Sequence, residues 1–145
     1  MAIKILKVTP EQAIENLEKA MNDGYQTIEK IRAVVEKQKA ITGSTTTPSS
    51  EMGEIYNVWY RETFLMLTQT FSAVWRAYYF KETKTGRYAS SGDTAASPYE
   101  HDFEAKVKVL KDYYDSLMRD SDPAINIEGD LVFQAGKNIK YENKK

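Results

Sequence analysis

The stretch Thr9-Pro10-Glu11-Gln12-Ala13-Ile14-Glu15-Asn16-Leu17, continued through Met21, Asn22-Asp23-Gly24, Ile28, Ile31 and Val35 to Ile41, decides the fold class. Thr9 can accept from the free N–H groups of a first helical turn, Pro10 suits the first helical position, and Gln12 closes a capping box. Behind that start, Ile14, Leu17, Met21, Ile28, Ile31 and Val35 return at spacings of three, four or seven, the stripe of an amphipathic helix. Glu11, Glu15 and Glu18 come early and Lys30, Arg32, Lys37 and Lys39 late, the order the helix macrodipole favours.

Unbroken from Pro10 to Ile41, such a helix would be roughly 48 Å long at about 1.5 Å per residue. A compact domain of this size is only roughly 30–35 Å across. Either the helix projects and packs on a partner, or it stops at Asn22-Asp23-Gly24. Ile14, Met21, Ile28 and Val35 make one heptad row, but its companion row, Leu17, Gly24, Ile31 and Gln38, has two poor members. Core packing is therefore expected rather than a dedicated coiled-coil seam.

Downstream, Thr42 to Ser50 is uncharged and of low complexity, and residues 42–50 read as a flexible linker. A second helix, capped by Ser49 or Ser50, is expected to run to about Phe80. Tyr60, Phe64, Leu67, Phe71, Val74 and Tyr78 form its stripe, and Ile55, Val58, Trp59, Leu65 and Met66 widen it over most of the circumference. A helix of that kind is central and covered on several sides. Residues 82–97 form a second polar loop. Ser97-Pro98-Tyr99-Glu100 then opens a third helix with its own capping box, with Tyr99, Phe103, Val107, Leu110, Tyr114 and Leu117 on one face and an end at Asp120-Ser121-Asp122-Pro123. Over residues 124–145 the period changes: Asp130 to Gln134 and Lys137 to Tyr141 around Ala135-Gly136 read as a β-hairpin with a basic tail. Residues 3–8 alternate weakly and can add a third strand. The expected fold is mainly α, a single domain over 1–145 with three long helices in a bundle and a small C-terminal β-hairpin.

The bulk composition narrows the function classes. The 145 residues are 41% hydrophobic and 28% charged, enough for one core without staples. Twenty Lys and Arg nearly balance 21 Asp and Glu, for a net charge of -1, so no global field steers the chain to nucleic acid or an anionic membrane. The absence of cysteine removes disulfides, thiolate metal sites and cysteine nucleophiles, and fits a reducing compartment. No signal-peptide pattern opens the chain and no apolar run approaches the ~18 residues of a membrane span. A cytoplasmic protein is expected.

Catalytic motifs are missing. The one histidine, His101, stands between Glu100 and Asp102, but adjacent helical residues point about 100° apart and cannot converge on one ion. No Gly-x-Ser-x-Gly elbow or phosphate-binding glycine loop occurs. No catalytic residue, metal or cofactor is therefore expected. The aromatic residues of the second and third helices are read first as core. With Arg61 and Arg76 beside them, they also offer a surface on which a base or nucleotide could stack. Arg61, Trp75, Arg76 and Arg87 are the candidate ligand-binding residues.

Three fragments carry a resemblance: Ala13 to Leu17 continuing to Asp23-Gly24, Trp59 to Phe71, and Phe103 to Leu117. Their order and apolar spacing resemble the helical modules at the front of bacterial anti-phage and abortive-infection proteins. The resemblance implies a sensor or oligomerisation piece, covers under half of the chain and transfers no functional residue. The leading expectation is a non-enzymatic interaction or scaffold protein with a protein partner, self-associating through its helices as a homo-oligomer. The alternative is a small-ligand or nucleotide-binding module using the aromatic–arginine surface.

Overall fold

Helix α1 spans Pro10–Thr42 without interruption, so the expected stop at Asn22-Asp23-Gly24 does not occur. The computed structural model describes residues 5–84 and 92–119. Among them are three further helices: α2 (Ser50–Thr70), α3 (Trp75–Glu82) and α4 (Ser97–Arg119). The fold class is mainly α as expected, but the second expected helix is two helices, and the bundle has four. The expected hairpin and basic tail lie outside the described residues.

Thr9 caps α1 as its sequence predicts: the Gln12 N–H donates to the Thr9 hydroxyl at 3.1 Å. At the other end Gly43 adopts φ +77°, and its N–H closes on the Lys39 carbonyl. That left-handed position is the one a β-carbon disfavours and glycine accepts. Ala13, Leu17, Ala20, Gly24, Thr27, Ile31 and Val34 are buried along the helix, a strict alternation of fours and threes. This seam lies one residue to the side of the row Ile14, Met21, Ile28 and Val35. Ile28 and Val35 of that row are buried as well, while Ile14 and Met21 are only half-buried. Counting large apolar residues finds Leu17, Ile28, Ile31 and Val35 but misses Ala13, Ala20, Gly24 and Thr27, the small members that let neighbouring helices come close.

Gly24 is where they come closest. A β-carbon there would collide with Phe103 Cε1 of α4 and lie 2.9 Å from Trp59 Cε2 of α2. The space allows the Trp59 indole to lie against α1 and donate Nε1–H to the Ala20 carbonyl at 2.8 Å. Around Trp59 the rings of Tyr56 (5.6 Å), Phe80 (5.8 Å) and Phe103 (5.2 Å) pack tilted or edge-on. Such geometries suit ring quadrupoles and strengthen packing beyond area burial alone. The glycine that reads as a helix stop is therefore a contact point for three helices. With its seam packed on α2 and α4, α1 overhangs by only its last turns, where Ile41 is 76% exposed.

Helix α2 ends at Thr70 because the N-terminal segment engages it. Phe71 is extended (φ −105°, ψ 143°) and forms an antiparallel bridge with Leu6. Lys7 N–H donates to the Thr70 carbonyl at 2.8 Å, and Ser72 N–H donates to the Ile5 carbonyl at 3.0 Å. Lys7 Nζ also donates to the Thr68 carbonyl. Carbonyls left unpaired at a helix C-terminus thus gain donors and a positive charge. No glycine or proline marks this break. Among the described residues, the expected N-terminal strand reduces to this bridge. Its partner is Phe71.

The face of α2 that is buried holds Met52, Tyr56, Trp59, Thr63, Leu67 and Thr70. Of the expected stripe Leu67 and, just past the helix, Phe71 are buried, while Tyr60 and Phe64 are only partly so. Val58 and Leu65 are 56% and 55% exposed, so α2 is not covered all round. Before α4, Ser97 Oγ accepts from the Thr94 N–H, and Thr94 Oγ1 accepts from the Ala96 N–H. The side chain expected to cap Glu100 is engaged in this preceding turn, and Glu100 N–H bonds the Ala96 carbonyl instead. The Thr45 carbonyl accepts from Ala95 N–H at 2.8 Å, tying the segment after α1 to the start of α4.

Candidate functional site

Helix α3 is eight residues long and carries no side-chain N-cap. Isolated helices shorter than about 12–15 residues are marginal in water, so neighbours must hold it. Arg76, Ala77 and Phe80 face inward. The other side is open: Val74, Trp75, Tyr78 and Tyr79 are each 48–57% exposed. Positions i, i+1, i+4 and i+5 share one side of a helix, so the four form a continuous ridge. Trp75 meets Tyr79 edge-on at 6.5 Å, and Tyr78 meets Phe64 of α2 at 5.3 Å. The Lys81 ammonium lies 5.6 Å from the Tyr78 ring centre and 5.9 Å from that of Phe64.

At about 150–250 Å² per large aromatic side chain, half-exposure of three rings leaves roughly 300 Å² of aromatic surface facing water. That reaches the roughly 300–600 Å² of the largest apolar patch on a typical monomer, a size often associated with function. It falls below the roughly 800 Å² that each partner contributes to a standard interface. The ridge alone suits a weak contact.

Two side chains of α4 anchor α3. Tyr113 donates its hydroxyl to the Arg76 carbonyl at 2.9 Å. Lys106, only 3% exposed, donates Nζ to the Thr83 carbonyl at 2.8 Å, placing a cation at the C-terminal end of α3. Its charge is balanced by Asp102 Oδ1 at 3.1 Å. Asp102 Oδ2 accepts from the Tyr56 hydroxyl at 2.5 Å. The ammonium also lies 5.6 Å from the Tyr60 ring and 5.9 Å from the Phe80 ring. Burial first, then the hydrogen bond to Asp102, pushes the Tyr56 hydroxyl far above the ordinary tyrosine range. Burial likewise raises Tyr113, partly opposed by Arg76. The polar atoms of this cluster pair with one another across α2, α3 and α4, and Asp102 keeps partial exposure.

The sequence-predicted binding residues separate in space. Trp75 is on the exposed ridge. Arg76 is only 7% exposed, with its guanidinium 4.8 Å from the Phe71 ring, 5.0 Å from Trp75 and 5.6 Å from Tyr113. Arg61 is exposed on α2, and Arg87 lies outside the described residues. Sequence reading missed Lys106, since a lysine at a helical core position looks like a solvated charge. The one signal was its spacing of three and four from Phe103 and Leu110.

No family model, curated protein or solved structure matches the chain.

Between α1 and α2 an open cleft of about 100 Å³ is lined by Asn16, Lys19, Asp23, Trp59, Glu62 and Met66, among others. It has room for a few waters rather than a nucleotide. Its Lys19 is paired with Asp23 at 2.6 Å. Among the described residues no group of three or more His, Asp or Glu side chains could hold a metal ion, and no helix is long and apolar enough to cross a membrane.

Proposed function

We propose that this chain is a non-enzymatic interaction module that associates with a second copy of itself through the α3 ridge. One observation carries the reading: four large apolar side chains stand half-exposed on a single short helix and its cap. Among the described residues Val74, Trp75, Tyr78 and Tyr79 carry no charge, with the exposed Glu82 at the end of the helix, so two copies can meet about a twofold axis with like charges kept to the rim. The half-exposed aromatic area argues for a weak, micromolar-range association, with Phe64, Leu65 and Lys81 supplying a rim. The resemblance to oligomerising helical modules supports the same reading, and the cysteine-free composition suits a cytoplasmic setting.

The placement of Arg76 supports self-association over nucleotide stacking. Arg76, the cation nearest the exposed Trp75 ring, is packed among Phe71 and Tyr113 rather than presented to solvent.

Sedimentation velocity from about 1 to 300 μM tests the proposal. The wild-type chain is expected to show concentration-dependent dimerisation. The double variant Trp75→Ser, Tyr79→Ser should remain monomeric, with far-UV circular dichroism unchanged. A wild-type monomer throughout this range, or a dimer untouched by the double variant, overturns the proposal.

A further inference from the structure

The ridge exists only while α3 is held in place, and the buried polar cluster sits where it can do that holding. Between α3 and α4 the contacts run antiparallel: Tyr113 reaches the carbonyl of Arg76, and Lys106, two turns earlier on α4, reaches the carbonyl of Thr83. The two hydrogen bonds bracket the helix from its first turn to its C-cap. Thr83 also turns inward on the same end, its N–H and hydroxyl both donating to the Tyr79 carbonyl. Lys106 is thus the group that closes the C-terminal end of the element carrying Tyr78 and Tyr79.

We infer that Lys106, oriented by Asp102 and through it by Tyr56, is a positioning residue for the docking ridge. A lysine that served the core alone could be replaced by an apolar side chain, since buried ion pairs are often neutral or unfavourable for stability compared with well-packed apolar groups. Lys106 already lies beside the Tyr60 and Phe80 rings, its ammonium 5.6 and 5.9 Å from their centres. What methionine could not supply is the ammonium that meets the α3 carbonyl end. The ion pair is therefore kept for geometry: it determines where α3 ends and which way its exposed rings face. Its effect is expected to be local, because the main three-helix contact of α1, α2 and α4 is made at Gly24, Trp59 and Phe103.

The inference rests on the proposed role of the ridge, and two readouts keep the two apart. Amide hydrogen exchange and sedimentation would be followed on full-length Lys106→Met and Tyr56→Phe. At a temperature where circular dichroism shows the full helical signal, Lys106→Met is expected to speed exchange of the Tyr79–Thr83 amides at least ~10-fold. Protection of the α1 and α2 amides should stay unchanged. Dimer association is expected to weaken by about 10-fold, and Tyr56→Phe, which removes the bond that orients Asp102, should shift both readouts in the same direction by less. If Lys106→Met does not fold, Tyr56→Phe and Lys106→Gln carry the same test. Acceleration spread evenly over all helices would overturn the inference, leaving Lys106 a general core residue. Local acceleration with unchanged dimerisation would overturn it too. A wild-type chain that never dimerises refutes the proposed function, while the exchange pattern still reports whether Lys106 holds α3.

Discussion

Replacing Gly24 by alanine is the sharpest probe of how α1 is packed. In an exposed helix interior, glycine to alanine would stabilise by about 1 kcal/mol, because the unfolded chain loses freedom and the helix gains propensity. At Gly24 that gain meets an obstacle. The new methyl would overlap Phe103 Cε1 and stand 2.9 and 3.0 Å from two atoms of the Trp59 ring. Neither neighbour can easily yield. Phe103 is 5% and Trp59 3% exposed, each is edge-packed on other rings, and Trp59 is also tied by its indole N–H to the Ala20 carbonyl. Overpacking a filled core costs typically about 1–3 kcal/mol, sometimes more. With two rings displaced and a buried hydrogen bond stretched, the upper part of that range applies. The net expectation is a loss of about 2 kcal/mol, or a melting temperature about 4–8 °C lower for a chain of this length. Gly53→Ala is the internal control. Its β-carbon would meet only the Tyr99 hydroxyl, at 3.4 Å, so a gain of about 0.5–1 kcal/mol is expected. Urea unfolding of both variants, followed at 222 nm, measures the contrast. If Gly24→Ala were as stabilising as Gly53→Ala, the three-helix contact at Gly24 would be refuted.

Two further stability effects follow from single positions. Gly43→Ala places a β-carbon at φ +77° in open space, so strain alone acts. A loss of about 1 kcal/mol is expected, with Gly43→Asn recovering part of it, both read from thermal unfolding. Tyr56 and Tyr113 hold their protons in the folded chain well above the ordinary tyrosine value of 10.0, while in the unfolded chain they ionise near it. Their contribution to stability is therefore complete below pH 10 and declines as pH rises beyond it, each by up to about 1.4 kcal/mol per pH unit. Urea midpoints between pH 9 and 11 should fall steeply for wild type and less steeply for Tyr56→Phe with Tyr113→Phe. Equal slopes would count against the buried, protonated state of these hydroxyls.

Much of the helical architecture was legible in the residues themselves. Thr9-Pro10 and Ser97-Pro98 mark the starts of α1 and α4, and Gly43 marks the end of α1, because capping and left-handed backbone positions depend on a residue and its immediate neighbours. The mainly α class follows from apolar spacing for the same local reason. The buried seam was read in part: Leu17, Ile28, Ile31 and Val35 are buried as their spacing suggests, but its small members were missed. Alanine, glycine, threonine and lysine at Ala20, Gly24, Thr63 and Lys106 carry no apolar signal of their own, and only a facing helix shows why they are buried. The ridge was half-legible: Trp75 was singled out, but Arg76 beside it turned inward to Phe71 and Tyr113.

What the sequence determined alone is therefore the mainly α class, the Thr9 cap of α1 and the exclusion of cysteine chemistry, since each rests on local backbone preference or on residue type. Only the tertiary structure decided that α1 passes unbroken through Gly24, that α2 stops at Thr70 and that Lys106 is buried. In each case the deciding partner is distant in sequence: Trp59 and Phe103 for Gly24, the Ile5–Lys7 backbone for Thr70, and Asp102 with the Thr83 carbonyl for Lys106. A local pattern cannot report whether a small residue is a helix stop or a close contact, or whether a charge is solvated or paired. Burial and hydrogen bonding across helices settle both, and the same long-range contacts leave the outer side of α3 uncovered.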